Sequence, residues 1–155
     1  MTSAASRRRR NTVFNPSRNE VREFFFAIWS KAQAGSVLTP LEAMALSVVQ
    51  AHPEYHDVLS NPDRYREREW TPEGGETNPF LHLSVHLAIE EQLSIDQPPG
   101  IRSIVQSLES TLGNAMDARH AVMDCLVEQV WQAQRNAVPF NNEAYLDCLR
   151  RRSAG

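Results

Sequence analysis

The stretch Asn78 to Arg102, NPFLHLSVHLAIEEQLSIDQPPGIR, decides the fold class. Asn78 before Pro79 is a helix start: the Asn side chain caps the first open amides, and proline costs nothing at the first helical position because its missing N–H would be unpaired there anyway. From Pro79 to about Ile95 the chain is apolar at Phe80, Leu81, Leu83, Val85, Leu87 and Ile89. That strongly apolar run, set behind an Asn-Pro helix start, predicts a helix at the centre of a bundle. Pro98-Pro99 then breaks the chain.

The same punctuation recurs outward from there. Asn15-Pro16 opens a helix that runs to about Ala34, with Val21, Phe24, Phe25, Ile28 and Trp29 on its apolar stripe and Gly35 as its stop. Thr39-Pro40 opens another through Leu41, Met44, Leu46 and Val49 toward His52, where Pro53 either kinks it or begins a new short helix. On the far side, Ile101, Ile104, Val105, Leu108 and Leu112 mark a helix that Gly113 ends. Ala115 to Arg135 forms a long one with Val122, Met123, Leu126, Val127, Val130 and Trp131 toward the core. The last, from about Asn142 to Arg151, carries Tyr145, Leu146 and Leu149. No segment shows sustained period-two alternation rich in β-branched residues, so the expected fold is all-α, a single-domain helical bundle of about six helices over residues 14–155. Residues 1–13 are expected to form a disordered basic tail, since Ser, Ala and Arg offer nothing to bury against the entropy of ordering. Asn61 to Thr77 is polar and long for a bundle connection. Tyr65 and Trp70 either fasten it over one end of the bundle or simply pack within a surface loop.

The 155 residues, 41% apolar and 23% charged, suit one compact domain. Net charge is −3, but Arg7 to Arg10 and Arg150 to Arg152 lie outside an acidic body. Between Phe14 and Leu149 nine basic residues face nineteen acidic ones. That balance makes nucleic acid an unlikely ligand for the core. No apolar stretch is long enough to span a membrane and no secretory leader is evident, so a cytoplasmic protein is expected. Cys125 and Cys148 make no disulfide framework and no CxxC pair, and Cys125 reads as a core residue.

The chemistry points to histidine. Four of the five His form two HxxxH pairs, His52 with His56 and His82 with His86. On a helix, positions i and i+4 share a face, so both rings of a pair reach one metal ion or two neighbouring ones. Glu90 extends the second pair to HxxxHxxxE, and the fifth histidine begins a similar row, His120, Asp124 and Glu128, with Asp117 one turn upstream. Rows of this kind on neighbouring antiparallel helices are how bundle cores build metal sites. The expected ligands are therefore His52, His56, His82, His86, Glu90, His120, Asp124 and Glu128. Imidazole plus carboxylate without thiolate suits a divalent ion such as Fe, Mn or Zn.

There is no HExxH, no ferritin-like ExxH, no GxSxG-type elbow and no phosphate loop, so no catalytic residue is assigned and the chain is not read as an enzyme of any stated class. Any catalysis would be metal-centred. The alternative is a metal-free interaction protein whose acidic helical surface binds a protein partner.

The stretch Asn78 to Arg102 resembles a bacterial family catalogued as domain-of-unknown-function family 1841. The resemblance extends to FNPSR at Phe14, LTPLE at Leu38, HPEYH at His52, HAVMDCL at His120 and EAYLDCLRRR at Glu143. It covers nearly all the chain after the basic tail. It implies a small bacterial cytoplasmic protein, supplies no reaction and carries over no functional residue. The basic extension before Phe14 departs from the family pattern.

Overall fold

The computed structural model describes residues 18–71 and 77–154. The expected helix start at Asn15-Pro16, the basic tail and Gly74-Gly75 lie outside the described residues. All regular structure described is helical: α1 (Arg18–Gln33), α2 (Pro40–Gln50), a 3-10 turn (Pro53–Tyr55), α3 (His56–Ser60), α4 (Pro62–Tyr65), α5 (Pro79–Ile95), α6 (Ile101–Leu112), α7 (Ala115–Asn136) and α8 (Asn142–Ala154). The count exceeds six because His52-Pro53 and Asn61-Pro62 each open a short element inside stretches read as a helix end and a loop. By its internal contacts the chain forms two compact units, residues 1–84 and 85–155.

In the first unit α1 packs against α2 and α3. Gly35 ends α1 in the left-handed region at φ 69°, which lets the Ser36 amide reach the Lys31 carbonyl at 2.9 Å. Thr39 and Glu42 form a reciprocal capping box, and the second oxygen of Glu42 takes the Lys31 ammonium at 2.6 Å, fastening α1 to α2.

The buried face of α1 is Arg22, Phe25, Phe26 and Ile28, while Val21, Phe24 and Trp29 are only half-buried. Arg22 thus occupies a position of the apolar stripe, spaced three and four residues from Phe25 and Phe26. It is 1% exposed. Its Nη1 donates to the carbonyls of Tyr65 at 3.1 Å and Arg66 at 2.9 Å, and the guanidinium carbon stands 5.1 Å from the Trp70 ring centre and 5.0 Å from that of Phe80. Tyr65 stacks on Trp70, which meets Phe80 edge-on. The two aromatics of the polar connection thus pack against each other and, through Trp70, against the first turn of α5.

The second unit is the remainder of α5 with α6, α7 and α8 packed pairwise. Its core joins Ile89 and Leu93 to Ile101, Val105, Leu108, Ala118, Ala121, Val122, Tyr145, Leu146 and Leu149. Asn114 caps α7 by accepting from the Asp117 amide at 2.7 Å, and Gly113 ends α6 at φ 89°.

Three expectations are corrected here. Val127, Val130 and Trp131 are 53%, 39% and 50% exposed rather than in the core. Val127 and Trp131 stand three residues on from Asp124 and Glu128, on the outward face of α7 that also carries the exposed His120. Leu81 is 62% exposed, on the outer side of α5. And Cys125 is joined to Cys148 in a disulfide between α7 and α8, with Cα atoms 5.9 Å apart. The helix pairing brings together two residues 23 apart in sequence that no spacing rule relates.

A chain of charges crosses this unit. Arg119 on α7 donates to Glu90 of α5 at 2.8 Å and to Glu109 of α6 at 2.6 Å, and His86 Nε2 lies 3.3 Å from the same Glu90 oxygen. The His86 hydrogen bond, opposed by burial and reinforced by Arg119, holds the Glu90 carboxyl below its ordinary value.

Two outcomes are expected from these contacts. Replacing Arg22 by Ala removes two hydrogen bonds and both ring contacts and should lower the unfolding free energy by about 2–4 kcal/mol in urea titrations. Arg22→Lys should rescue only part of it, because an ammonium can still donate to the two carbonyls but lacks the planar, weakly hydrated cation set against Trp70 and Phe80. Glu90→Gln should cost about 1.5 kcal/mol at pH 7. A carboxylate with a depressed folded-state pKa stabilises above its unfolded value and loses that contribution as pH falls through the folded one. Wild type and variant should therefore converge as pH drops below about 4.5.

Candidate metal centre

Histidines are brought together in the first unit by the end of α2 and the start of α5. Ala51 caps α2, and His52 is the N-cap of the turn that Pro53 opens. Its ring is 2% exposed. The Nδ1 atom is 2.8 Å from the Val48 carbonyl, and since a carbonyl only accepts, Nδ1 carries the proton. That assignment leaves a lone pair on Nε2, which faces His82 Nε2 at 3.0 Å.

His82 is held by α5, whose first turn Asn78 caps through hydrogen bonds from the amides of Phe80 and Leu81, and the His82 amide closes the turn on the Asn78 carbonyl at 3.1 Å. The two imidazoles cross at 71° with centres 4.8 Å apart. Tyr55 walls the pair, stacked on His52 at 5.6 Å and edge-on to His82 at 5.8 Å, and burial with the nearby Glu54 charge pushes its phenol up.

A first-row divalent ion binds imidazole nitrogen at about 2.0–2.1 Å, so two ligands lie about 3.3 Å apart at a tetrahedral angle and about 2.9 Å apart at a right angle. The observed 3.0 Å falls at the right-angle end of that range. One ring nitrogen donating to a backbone carbonyl while the other points at its target is also how metal-bound histidines are oriented. The pair therefore fits a metal. It equally makes a direct imidazole–imidazole hydrogen bond in which His82 donates to His52.

The other histidine of the first unit does different work. His56 does not continue a helix from His52, because the 3-10 turn intervenes and cancels the shared face that HxxxH spacing implies. Its Nε2 donates to the Val49 carbonyl at 2.9 Å, and its ring lies against Trp29, whose indole N–H is held by Ser60. His56 is a brace for α3.

In the second unit His86 and Glu90 belong to the chain of charges through Arg119. A guanidinium and a metal ion compete for the same carboxylate charge, so Glu90 is already engaged. Asp117 serves the cap of α7. Asp124 is exposed with Arg152 3.8 Å away, and Glu128 accepts from Gln132 one turn on. His120 is exposed on α7. The i, i+4 rows thus exist as helix faces, yet their acids are occupied by side-chain partners. The pairing of His52 with His82, thirty residues apart, is visible only in the fold. The sequence signals that bear on it are Pro53, directly after His52, and the Asn78-Pro79 helix start before His82, which place each ring beside a helix terminus.

Among the described residues, no helix is long and apolar enough to cross a membrane. No curated protein and no solved structure matches the chain. The family described as a domain of unknown function, DUF1841, matches residues 17–151, a span that takes in all five histidines and both cysteines. The chain belongs to the DUF1841 family.

Proposed function

We propose that this protein binds one divalent metal ion through His52 Nε2 and His82 Nε2, with water in the remaining positions. The reading rests on a single observation: two buried or half-buried imidazole nitrogens converge to 3.0 Å, one of them with its tautomer set by the Val48 carbonyl. The donor set is borderline. It contains no thiolate, since both cysteines are bridged, and Glu90, the carboxylate one helical row from His82, is held by Arg119. Of iron, manganese and zinc, zinc suits imidazole donors best, while manganese prefers the carboxylate and water oxygens that are engaged elsewhere. No reaction is assigned to the centre.

The decisive measurement is a titration of tag-free protein with Zn²⁺, repeated with Co²⁺ for its visible spectrum. One equivalent should bind. His52→Ala and His82→Ala should each weaken binding at least about tenfold, the scale on which loss of a supporting group already acts. His56→Ala should leave affinity unchanged while lowering stability, and His120→Ala reports whether the second unit supplies a ligand. Binding should weaken on acidification, because protons compete for the same lone pairs. Zinc at about 100 times its dissociation constant should add about 2.7 kcal/mol to the unfolding free energy of wild type and nothing to His82→Ala. A protein that takes up no ion from Zn²⁺, Co²⁺ or anaerobic Fe²⁺ overturns the proposal.

A second reading, a metal-free protein that binds a protein partner, is favoured by one feature: Val127, Val130 and Trp131 are exposed on α7. Under it Trp131→Ala abolishes partner binding and His82→Ala does not.

A further inference from the structure

We propose that the Cys125–Cys148 bridge is a reversible thiol–disulfide centre, with Cys148 the sulfur that small anionic thiols attack. The two ends of the bridge differ in access. Cys125 is 0% exposed within the core of the second unit, whereas Cys148 is only partly buried at its edge. Attack on a disulfide goes to the sulfur that an incoming thiolate can reach, so access singles out Cys148.

Charge singles out the same end. Cys148 is followed by Arg150, Arg151 and Arg152, and the last two stand three and four residues on, along its own face of α8. Arg152 reaches to 3.8 Å from Asp124, the neighbour of Cys125, so its guanidinium lies across the helix pair that the bridge joins. Cationic side chains beside the exposed end of the bridge draw in an anionic thiolate such as glutathione.

Reversibility follows from packing that does not depend on the bridge. Tyr145, Leu146 and Leu149 are fully buried on α8, the Tyr145 hydroxyl donates to Gln92 at 2.7 Å, and Thr111 donates to the Ser153 carbonyl at 2.9 Å. With the bridge cut, these contacts keep α8 seated and the two sulfurs adjacent, so closure remains an intramolecular step at high effective concentration.

The chemistry balances with a low-molecular-weight thiol as co-reactant. Its thiolate bonds to Cys148 Sγ, the protein S–S bond breaks, and the electron pair leaves on Cys125 Sγ, which takes up a proton. A second thiol then attacks the mixed disulfide, giving two protein thiols and one disulfide of the small thiol. In reverse, the buried Cys125 thiol resolves the mixed disulfide.

The test uses the full folded chain in mixtures of reduced and oxidised glutathione, with thiols counted by alkylation and intact mass. Without denaturant the bridge should open and close repeatedly while far-UV circular dichroism stays constant, and the opening rate should rise in proportion to glutathione. In Cys125→Ser, oxidised glutathione should modify Cys148; in Cys148→Ser, Cys125 should stay unmodified until denaturant is added. Arg151→Ser with Arg152→Ser should slow opening by glutathione about threefold or more at low salt and leave the rate with neutral 2-mercaptoethanol unchanged. Opening that needs denaturant, or whose rate is independent of thiol concentration because unfolding limits it, overturns the proposal. So does glutathione captured by Cys125 in Cys148→Ser. Should Cys125→Ser fail to fold, the rate law of the wild-type protein decides alone.

Discussion

A buried guanidinium held, among the described residues, by backbone carbonyls and aromatic rings organises the first unit. Taking the Arg22 charge out of water is costly, and burial, with the like charge of Arg18, pushes its pKa down. The cost is offset by two carbonyl acceptors and by the faces of Trp70 and Phe80, whose negative quadrupoles suit a weakly hydrated planar cation. Those partners come from three separate stretches: the end of α4, the connection after it and the first turn of α5. Satisfying one side chain therefore fixes where α5 begins relative to α1. His82 stands two residues beyond Phe80, so the position of its imidazole inherits that constraint.

Which helices exist was legible almost completely, and the reason is local. Thr39-Pro40, Asn78-Pro79, Gly35 and Gly113 each dictate backbone geometry within one turn, and the structure realises each of them. What the helices bury was less legible. A charged residue on an apolar stripe is invisible to a pattern that scores Arg as solvent-facing, and Arg22 took the place that Val21 and Phe24 were expected to hold. Val127, Val130 and Trp131 show the opposite error: an apolar side chain need not mark the buried face, and Val127 and Trp131 share theirs with the exposed His120, Asp124 and Glu128. The disulfide was illegible for a third reason, since it needs α7 and α8 to pack in one register and nothing in the spacing of two cysteines encodes that.

The candidate centre lies between these cases. Two HxxxH pairs were readable in the sequence, whereas the approach of His52 to His82 is seen only in the fold. A shared helical face requires a continuous helix, and Pro53 ends that continuity between His52 and His56. For His82 and His86 the helix is continuous, yet the rings serve different ends, one facing His52 and the other Glu90. The convergence that matters joins one ring from each pair.

Glu90 shows why a row of ligand types does not make a ligand set. A carboxylate at i+4 from a histidine is available to a metal only if nothing else has claimed its charge. Arg119, at 2.8 Å and itself shared with Glu109, has done so. Breaking that arrangement to free Glu90 would leave a largely buried guanidinium with one partner fewer, a penalty that metal coordination would have to exceed. Among the described residues, no guanidinium stands between His52 and His82, whose ring nitrogens meet at 3.0 Å, whereas Glu90 is tied by Arg119 into the packing of three helices.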